Sequence, residues 1–533
     1  MKNFSAFLLG AGLMAMPAPA QDLIARIHFA GAGQISADTN STAFTNEFCS
    51  AEAKALEAQT LDKLSRAPFA WAKAYMPPDA ANKAERFRPL LGDLLRAEWI
   101  FEVRAATNGS PEYVFAARLA ADRAQLWQEN LADVAQSWTY LSAEKTSDGW
   151  RLKKHLPPNL IRFVRAGDWI VVSCAQNEFP LSDEFVRRIQ AEKRPVPAAK
   201  NYWLSVDADW PRLARWFPVL GNFDFPKIDL QVIGRENNLH LDGRLTLAQP
   251  LPPLEKWRLP TNAIRAPFVS FTAVRGVAPW LERQSWERRF DVQPAADQLF
   301  IWALPLIPFQ TFAARPVPDG KAALAQIDAK LSGVFNASAP GAFLSPITLE
   351  MTNNRISFTG LPFFSPFMQA LHGPAGDFLF GGFFPNIPRA QPLPPELFTQ
   401  LNQPDLVYYH WENSTERLKQ LPQLTQLLLM VTMHRQFDTQ SAAGKWLDRI
   451  GPALGYNVTE VSQTAPNELA FVRTSPSGLT AIELLALGSW LEAPDFPICN
   501  LKLPPRKPLN FKHPHPQIPG GPPAPAPAPL ATH

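Results

Sequence analysis

The sequence lacks the features that usually identify an activity. Its 533 residues include only three cysteines and no CxxC pair, and they contain no GxSxG, HExxH, Walker or GxGxxG motif. The 51 Lys and Arg residues nearly balance the 48 Asp and Glu residues, which leaves no basic excess for binding nucleic acid. We therefore expect no cofactor, no metal ion and no nucleic-acid partner.

The three cysteines, Cys49, Cys174 and Cys499, lie far apart and allow at most one internal disulfide. Disulfides therefore do not define the fold. Cys174 follows the apolar run 169–173, a position that favours a small buried side chain over a reactive nucleophile.

The N-terminus carries the clearest targeting signal. Lys2 precedes the apolar segment 4–16, which ends at the small residues 18–20. This order is typical of a cleavable secretory signal, and the apolar part is much shorter than the roughly 20 residues that span a bilayer as a helix. We predict a signal peptide at 1–20 and a periplasmic or secreted protein, with a retained anchor as the alternative. No transmembrane span is expected after cleavage.

Closely spaced prolines divide the rest of the chain, because they interrupt both helices and central strands. Hydrophobic residues make up 46% of the chain, which is typical of globular proteins, and the length favours more than one domain. We predict an N-terminal α+β domain (21–193), a central α+β domain (201–384), and a C-terminal α+β domain or an extension of the central one (396–500).

The segment 501–533 has a different composition and includes the alternating Pro and Ala residues at 523–529. Such a run favours polyproline II, which has no internal hydrogen bonds and cannot build a core. We predict a disordered tail or spacer. The alternative is a docking segment for a partner.

Two kinds of strand-containing unit recur along the body of the chain. A strand that runs into a short helix is predicted at 202–216, 268–281 and 406–421, and a hairpin around an Asn-Asn pair at 228–241 and 347–358. The fold class that we predict is α+β, with mixed or mainly antiparallel sheets, interleaved helices, and divergent repeated strand-helix and hairpin units.

Asp207 and Asp209 are the candidates for acid–base chemistry. They end a predicted strand, where two carboxylates two residues apart could bind a cation or share acid and base roles. The competing interpretation is structural, because Asp209 precedes Trp210-Pro211 and is therefore well placed to cap a helix. The sequence favours the structural interpretation.

Aromatic residues supply the candidates for apolar or stacking contacts. Phenylalanines crowd the Gly- and Pro-containing segment 343–384, where exposed rings would mark a lipid, membrane or protein contact and buried rings would form a core layer. Tryptophans such as Trp411 could likewise stack on sugars or pack inward. The candidates for these contacts are Phe363, Phe364, Phe367, Phe383, Phe384, Trp210 and Trp280.

The stretch 27–71, with Ile35-Ser36-Ala37-Asp38-Thr39-Asn40 and Phe69-Ala70-Trp71-Ala72, resembles exported bacterial proteins of unknown function. The strand-helix units and the proline tail add to this resemblance, which concerns general layout. It implies a bacterial envelope setting. Because such proteins have no established activity, it implies no site residues.

These observations together favour an exported, non-catalytic cell-envelope protein that acts as a binding or scaffold module. Its partner would be an envelope component: protein, polysaccharide or lipid. One alternative is an envelope-polymer hydrolase with an unrecognised acidic site, and another is a carrier of an apolar ligand.

Overall fold

The computed structural model describes most of the chain outside the predicted signal and tail. The described residues are 23–72, 83–105, 110–139, 141–153, 160–176, 178–197, 202–216, 225–264, 267–282, 295–305, 310–337, 348–352, 354–359, 365–384, 399–420, 438–494 and 496–497.

Twenty strands in the described residues form one continuous sheet, and every pairing is antiparallel. The strands are β1 (Leu23–Phe29), β2 (Trp99–Ala105), β3 (Pro111–Arg118), β4 (Glu144–Thr146), β5 (Gly149–Lys153), β6 (Leu160–Ala166), β7 (Trp169–Ala175), β8 (Leu204–Asp209), β9 (Lys227–Arg235), β10 (Asn238–Thr246), β11 (Ser270–Arg275), β12 (Gln298–Ala303), β13 (Thr311–Val317), β14 (Thr348–Thr352), β15 (Arg355–Thr359), β16 (Phe367–Gly373), β17 (Gly376–Gly382), β18 (Leu406–Asn413), β19 (Tyr456–Ala465) and β20 (Glu468–Ser475).

The order of the strands is the same on both sides of the central pair β10–β20. Moving outward from β10, the strands are β9, β8, β1, β2, β3, β7, β6, β5 and β4. From β20 they are β19, β18, β11, β12, β13, β17, β16, β15 and β14. We call β1–β10 the N-half of the sheet and β11–β20 the C-half.

Helices pack on both faces of this sheet. They are α1 (Ala32–Ala37), α2 (Thr42–Phe48), α3 (Ala51–Ala72), α4 (Ala84–Leu94), α5 (Ala121–Thr139), α6 (Pro180–Glu192), α7 (Trp210–Trp216), α8 (Ala278–Leu281), α9 (Gly320–Ala337), α10 (Ala442–Ile450) and α11 (Ala481–Glu492), with a further helical segment at 414–420 and short 3-10 turns at Thr39–Ser41 and Gly451–Ala453.

Directly opposed residues of neighbouring strands project from the same face of a sheet. By this rule Glu102, Asp242 and Trp411 lie on one face, which we call the front, and Leu239 and Glu412 lie on the other, the back. On the front, α6 packs over the N-half. On the back, Ile35 of α1 and Phe44 of α2 pack near Leu239 of the sheet, and α4 and α5 cover β2, β3 and β5–β7.

The core of the C-half is an aromatic cluster on the front face. Phe271, Phe300, Trp302, Phe312 and Phe380 are at most 1% exposed and pack together with half-buried side chains that precede β11. Trp302 and Phe380 stack with their centroids 5.7 Å apart. Burial of such large rings is the main source of stabilisation in this part of the sheet.

The predicted fold class is confirmed: the protein is α+β, and its sheet is antiparallel. The turn between β9 and β10 shows the local cause of one hairpin. Glu236 and Asn237 have φ values of 52° and 58°, as a two-residue turn with positive φ at both positions requires. The turn therefore lies one residue before the predicted Asn237-Asn238 pair.

Candidate functional site

The two carboxylates singled out from the sequence have different surroundings. Asp209 Oδ1 accepts a hydrogen bond of 3.1 Å from the backbone N–H of Arg212, in the first turn of α7. Asp207 is half-buried, lies opposite Asp229 of β9, and has its Oδ1 3.8 Å from Lys227 Nζ. Asp209 therefore has the geometry of a helix cap, and Asp207 belongs to a polar patch on the front face.

Replacing Asp209 with alanine should lower the free energy of unfolding by about 1 kcal/mol, because the first turn of α7 loses its side-chain acceptor. Asp209→Asn, which keeps an acceptor oxygen, should stay close to wild type. Asp207→Ala is the matched control and should change stability by less than about 0.5 kcal/mol. Urea unfolding followed by circular dichroism measures all three, and an equal loss in both alanine variants would contradict the capping role.

The aromatic candidates do not share one environment. Phe367 is 4% exposed and belongs to the aromatic cluster of the C-half, whereas Phe383 is 39% exposed and Phe384 is half-buried. Trp210 is half-buried, with its ring 5.1 Å from that of Phe225 and perpendicular to it. Phe363 and Phe364 lie outside the described residues, as does the side chain of Trp280 in α8.

A chain of buried charges crosses the front face of the N-half, and sequence reasoning missed it. Glu102 is fully buried, and its carboxylate accepts from Arg26 Nε at 2.7 Å and from Arg104 Nε. Arg104 Nη1 in turn donates to Glu184 of α6 at 2.9 Å. These contacts join β1, β2 and α6, so the charges hold the helix to the sheet.

A second buried carboxylate holds the same helix. Glu112 of β3 is 2% exposed and accepts hydrogen bonds of 2.9 Å from the backbone N–H groups of Leu181 and Ser182. Burial raises the pKa of Glu112 above its ordinary value, although both hydrogen bonds act in the opposite direction. The N-cap residue of α6 makes no side-chain hydrogen bond to the first turn. The Glu112 carboxylate accepts from the N–H donors there instead.

A polar layer lies on the back face of the C-half, beneath α11. Burial acts to raise the pKa of Glu412, but hydrogen bonds lower it overall. The donors are the Ser414 hydroxyl at 2.7 Å and the backbone N–H of Ala481 at 2.8 Å, and His410 Nε2 lies 3.8 Å away. His410 Nδ1 is 2.8 Å from Thr272 Oγ1.

This layer continues on β20, where Arg473 donates to both carboxylate oxygens of Glu483 at 2.8 and 3.1 Å. Glu483 also completes a capping box with Thr480 at the start of α11. The polar groups therefore fix the first turn of α11 against the sheet. A catalytic His–carboxylate pair would need access to substrate, and Glu412 is 2% exposed.

The central part of the front face is more accessible. Along β19 and β20, Tyr456 is 60% exposed and Val472 is 41% exposed, and the flanking Trp411, Asp242 and Glu460 are half-buried. Tyr456 and Trp411 stack with their centroids 5.7 Å apart and their planes 30° apart. The sequence indicated Trp411 as a possible stacking residue and gave no signal for Tyr456.

A shallow cleft of about 480 Å³ lies between α4 and α5, lined mainly by polar residues that include Glu85, Asp122 and Glu129. In the described part of the chain, no three His, Cys, Asp or Glu side chains are grouped as a metal ion would require. Among the described helices, none combines the length and the apolarity that a membrane crossing needs.

Comparison with known proteins gives no match. No family model, curated protein or solved structure is significantly similar to this chain.

Proposed function

We propose that this protein is an exported, non-catalytic component of the bacterial cell envelope, and that its extended sheet acts as a binding or scaffold module. One observation carries the proposal. Among the described residues four carboxylates are buried. Glu102, Glu112 and Glu412 are engaged by arginines, hydroxyls or helix N–H groups within the protein, and Glu47 is the exception. The engaged carboxylates attach helices to the sheet. The accessible central part of the front face therefore remains as the surface for a ligand.

The symmetry of the strand order supports a scaffold built from two similar units. In the central pair, Leu239 lies opposite Ser475 and Leu245 opposite Leu469, with Asp242 and Val472 paired midway between them. Any antiparallel pair has such a local two-fold axis, and the support comes from the strands outside it, which follow in the same order on both sides. We infer that the N-half and the C-half descend from one duplicated unit.

Two local features occur at corresponding places in both halves and support this inference. Gly31 and Gly276 follow β1 and β11 with φ values of 88° and 74°, a conformation that favours glycine. At the ends of β8 and β18, Asp209 and Asn413 accept from the backbone N–H three residues later, at 3.1 and 3.2 Å. In the two halves, β1 corresponds to β11, and β8 corresponds to β18. The strand-helix units that start at β8 and β18 therefore occupy equivalent positions, whereas the unit that starts at β11 is equivalent to β1.

The proposal is tested by incubating the purified protein with isolated envelope polymers and measuring retention and soluble product separately. We expect retention on at least one polymer without release of fragments. Fragment release that disappears in a folded Asp207→Ala/Asp209→Ala variant would instead establish the hydrolase. Lipid that co-purifies with the protein and is identified by mass spectrometry would establish the apolar carrier.

A further inference from the structure

We propose that Tyr456 and Trp411 form a stacking platform for a neutral polysaccharide on the front face of the sheet. This inference rests on the proposed binding function and names the ligand class and the contact residues.

The platform is an aromatic series that leads from the core to the surface. Phe268 packs against the buried Phe271 with ring centroids 5.8 Å apart, and Trp411 meets Phe268 edge-on at 5.4 Å. Tyr456 then stacks on Trp411 and remains 60% exposed. Since each ring is held by the next, the exposed ring is ordered before a ligand arrives, which lowers the entropic cost of binding.

Polar groups lie beside the rings on the same face. Trp411, Val458, Thr474 and His240 are directly opposed across four neighbouring strands, a row about 14 Å long at the usual strand spacing. His240 Nδ1 lies 3.3 Å from Thr474 Oγ1, whereas its Nε2 is a buried atom without a hydrogen-bond partner among the described residues. An exposed planar ring with the Thr474 hydroxyl in the neighbouring row of the same face matches a sugar, which has an apolar C–H face and hydroxyls around its edge.

The next row of the front face contains the carboxylates of Asp242 and Glu460, on either side of Val472. Within the described part of the chain, no hydrogen bond engages either carboxylate. Carboxylates accept hydrogen bonds from hydroxyls and repel anions. This charge favours a neutral glycan over a phosphate-bearing or uronic-acid polymer.

A lipid surface fits this face less well. Among the described residues, the exposed large apolar side chains in its central part are Tyr456 and Val472. Val458 and Thr474 lie between them, and the carboxylates of Asp242 and Glu460 border Val472 on both sides. Membrane and lipid contacts use contiguous apolar patches of several hundred Å². The observations therefore favour a saccharide.

The test measures retention of the full mature chain on insoluble cellulose, chitin and xylan, with calcium alginate as the anionic comparison. We expect retention on a neutral polymer and weaker retention on alginate. Tyr456→Ala should weaken binding to that polymer about tenfold, because the exposed stacking surface is removed. Tyr456→Phe, which keeps the ring, should bind like wild type.

Trp490→Ala is the matched control. Trp490 is 38% exposed on α11, where it contacts Phe496, so its loss should leave retention unchanged. Urea midpoints equal to wild type establish that each variant is folded. If Tyr456→Ala unfolds, Tyr456→Leu, which keeps apolar bulk but removes the aromatic face, replaces it and should also weaken retention.

Failure of the platform and failure of the proposed function give different results. Retention that survives in folded Tyr456→Ala overturns the platform and leaves the binding function standing. A lack of retention on every neutral polymer also overturns the platform, and the envelope-polymer assay above then decides the binding function. Release of soluble sugar overturns the non-catalytic function, whereas retention that depends on Tyr456 still supports the platform.

Discussion

Replacing Glu47 with glutamine should make the protein more stable by about 3–5 kcal/mol at pH 9 and leave it nearly unchanged at pH 4. Glu47 lies in α2 and is 3% exposed, and neither of its carboxylate oxygens has a hydrogen-bond partner in the part of the chain that the structure describes. Burial raises its pKa from the ordinary value of 4.5 to about 8. The neutral acid is therefore the form that the folded protein accommodates.

The direction of the effect follows from proton linkage. Below pH 4.5 the carboxyl is protonated in both the folded and the unfolded chain, so the native residue carries no penalty. As the pH rises towards 8, the unfolded chain releases the proton but the folded chain retains it, and native stability falls. Glutamine has nearly the same shape and no charge, and it removes this loss.

The measurement is the free energy of unfolding in urea at several pH values for wild type and Glu47→Gln. The matched control is Glu350→Gln, since Glu350 is exposed on β14 and should give parallel pH profiles. A constant difference between Glu47→Gln and wild type from pH 4 to pH 9 would show that Glu47 does not carry a raised pKa.

The sequence predicted local structure well because strands and turns have local causes. The alternating residues of β1, the hairpins and the short helix α7 all follow from periodicity and turn chemistry within a few residues. The antiparallel character followed from the hairpins. The role of Asp209 was also accessible, because a carboxylate just before Trp210-Pro211 is well placed to cap a helix.

The strand pairings that determine the order of the sheet join residues far apart in sequence, and no local sequence pattern predicts them. Asp242 pairs with Val472, and Trp411 stacks on Tyr456, although neither residue indicates its partner. Buried charges are equally hidden. Arg26 and Glu102 alternate with apolar residues just as solvent-facing residues of a half-exposed strand do, so only the packing of α6 reveals that Glu102 is inside.

Equivalent positions in the two halves carry different side chains, so the buried charges occur in only one half. On the front face, Arg26, Glu102 and Arg104 of the N-half correspond in register to Phe271, Trp302 and Leu304 of the C-half. One half joins its strands and covering segment through ion pairs, and the other does so through aromatic burial. Both solutions occur in halves that have the same strand order.

Removing the central charge of the N-half should therefore be strongly destabilising. In Glu102→Gln, the two guanidinium groups of Arg26 and Arg104 lose the carboxylate between them. Breaking a fully buried pair from one side costs about 3–5 kcal/mol. Because Arg104 keeps its ion pair with Glu184 and the Arg26 side chain is 34% exposed, we expect a loss of about 2–3 kcal/mol. Urea unfolding measures this loss, and α6 should lose hydrogen-exchange protection first because Arg104 also holds Glu184.

The control for Glu102→Gln is Glu144→Gln. Glu144 Oε2 lies 3.1 Å from Arg151 Nε, and both side chains are about half exposed, so this change should cost less than about 1 kcal/mol. Replacing Arg26, Glu102 and Arg104 together with methionine removes both guanidinium groups with the carboxylate between them and leaves Glu184 paired with Arg188, so it should recover much of the stability lost in Glu102→Gln. Equal losses in Glu102→Gln and Glu144→Gln would mean that the buried chain of charges does not hold α6 to the sheet.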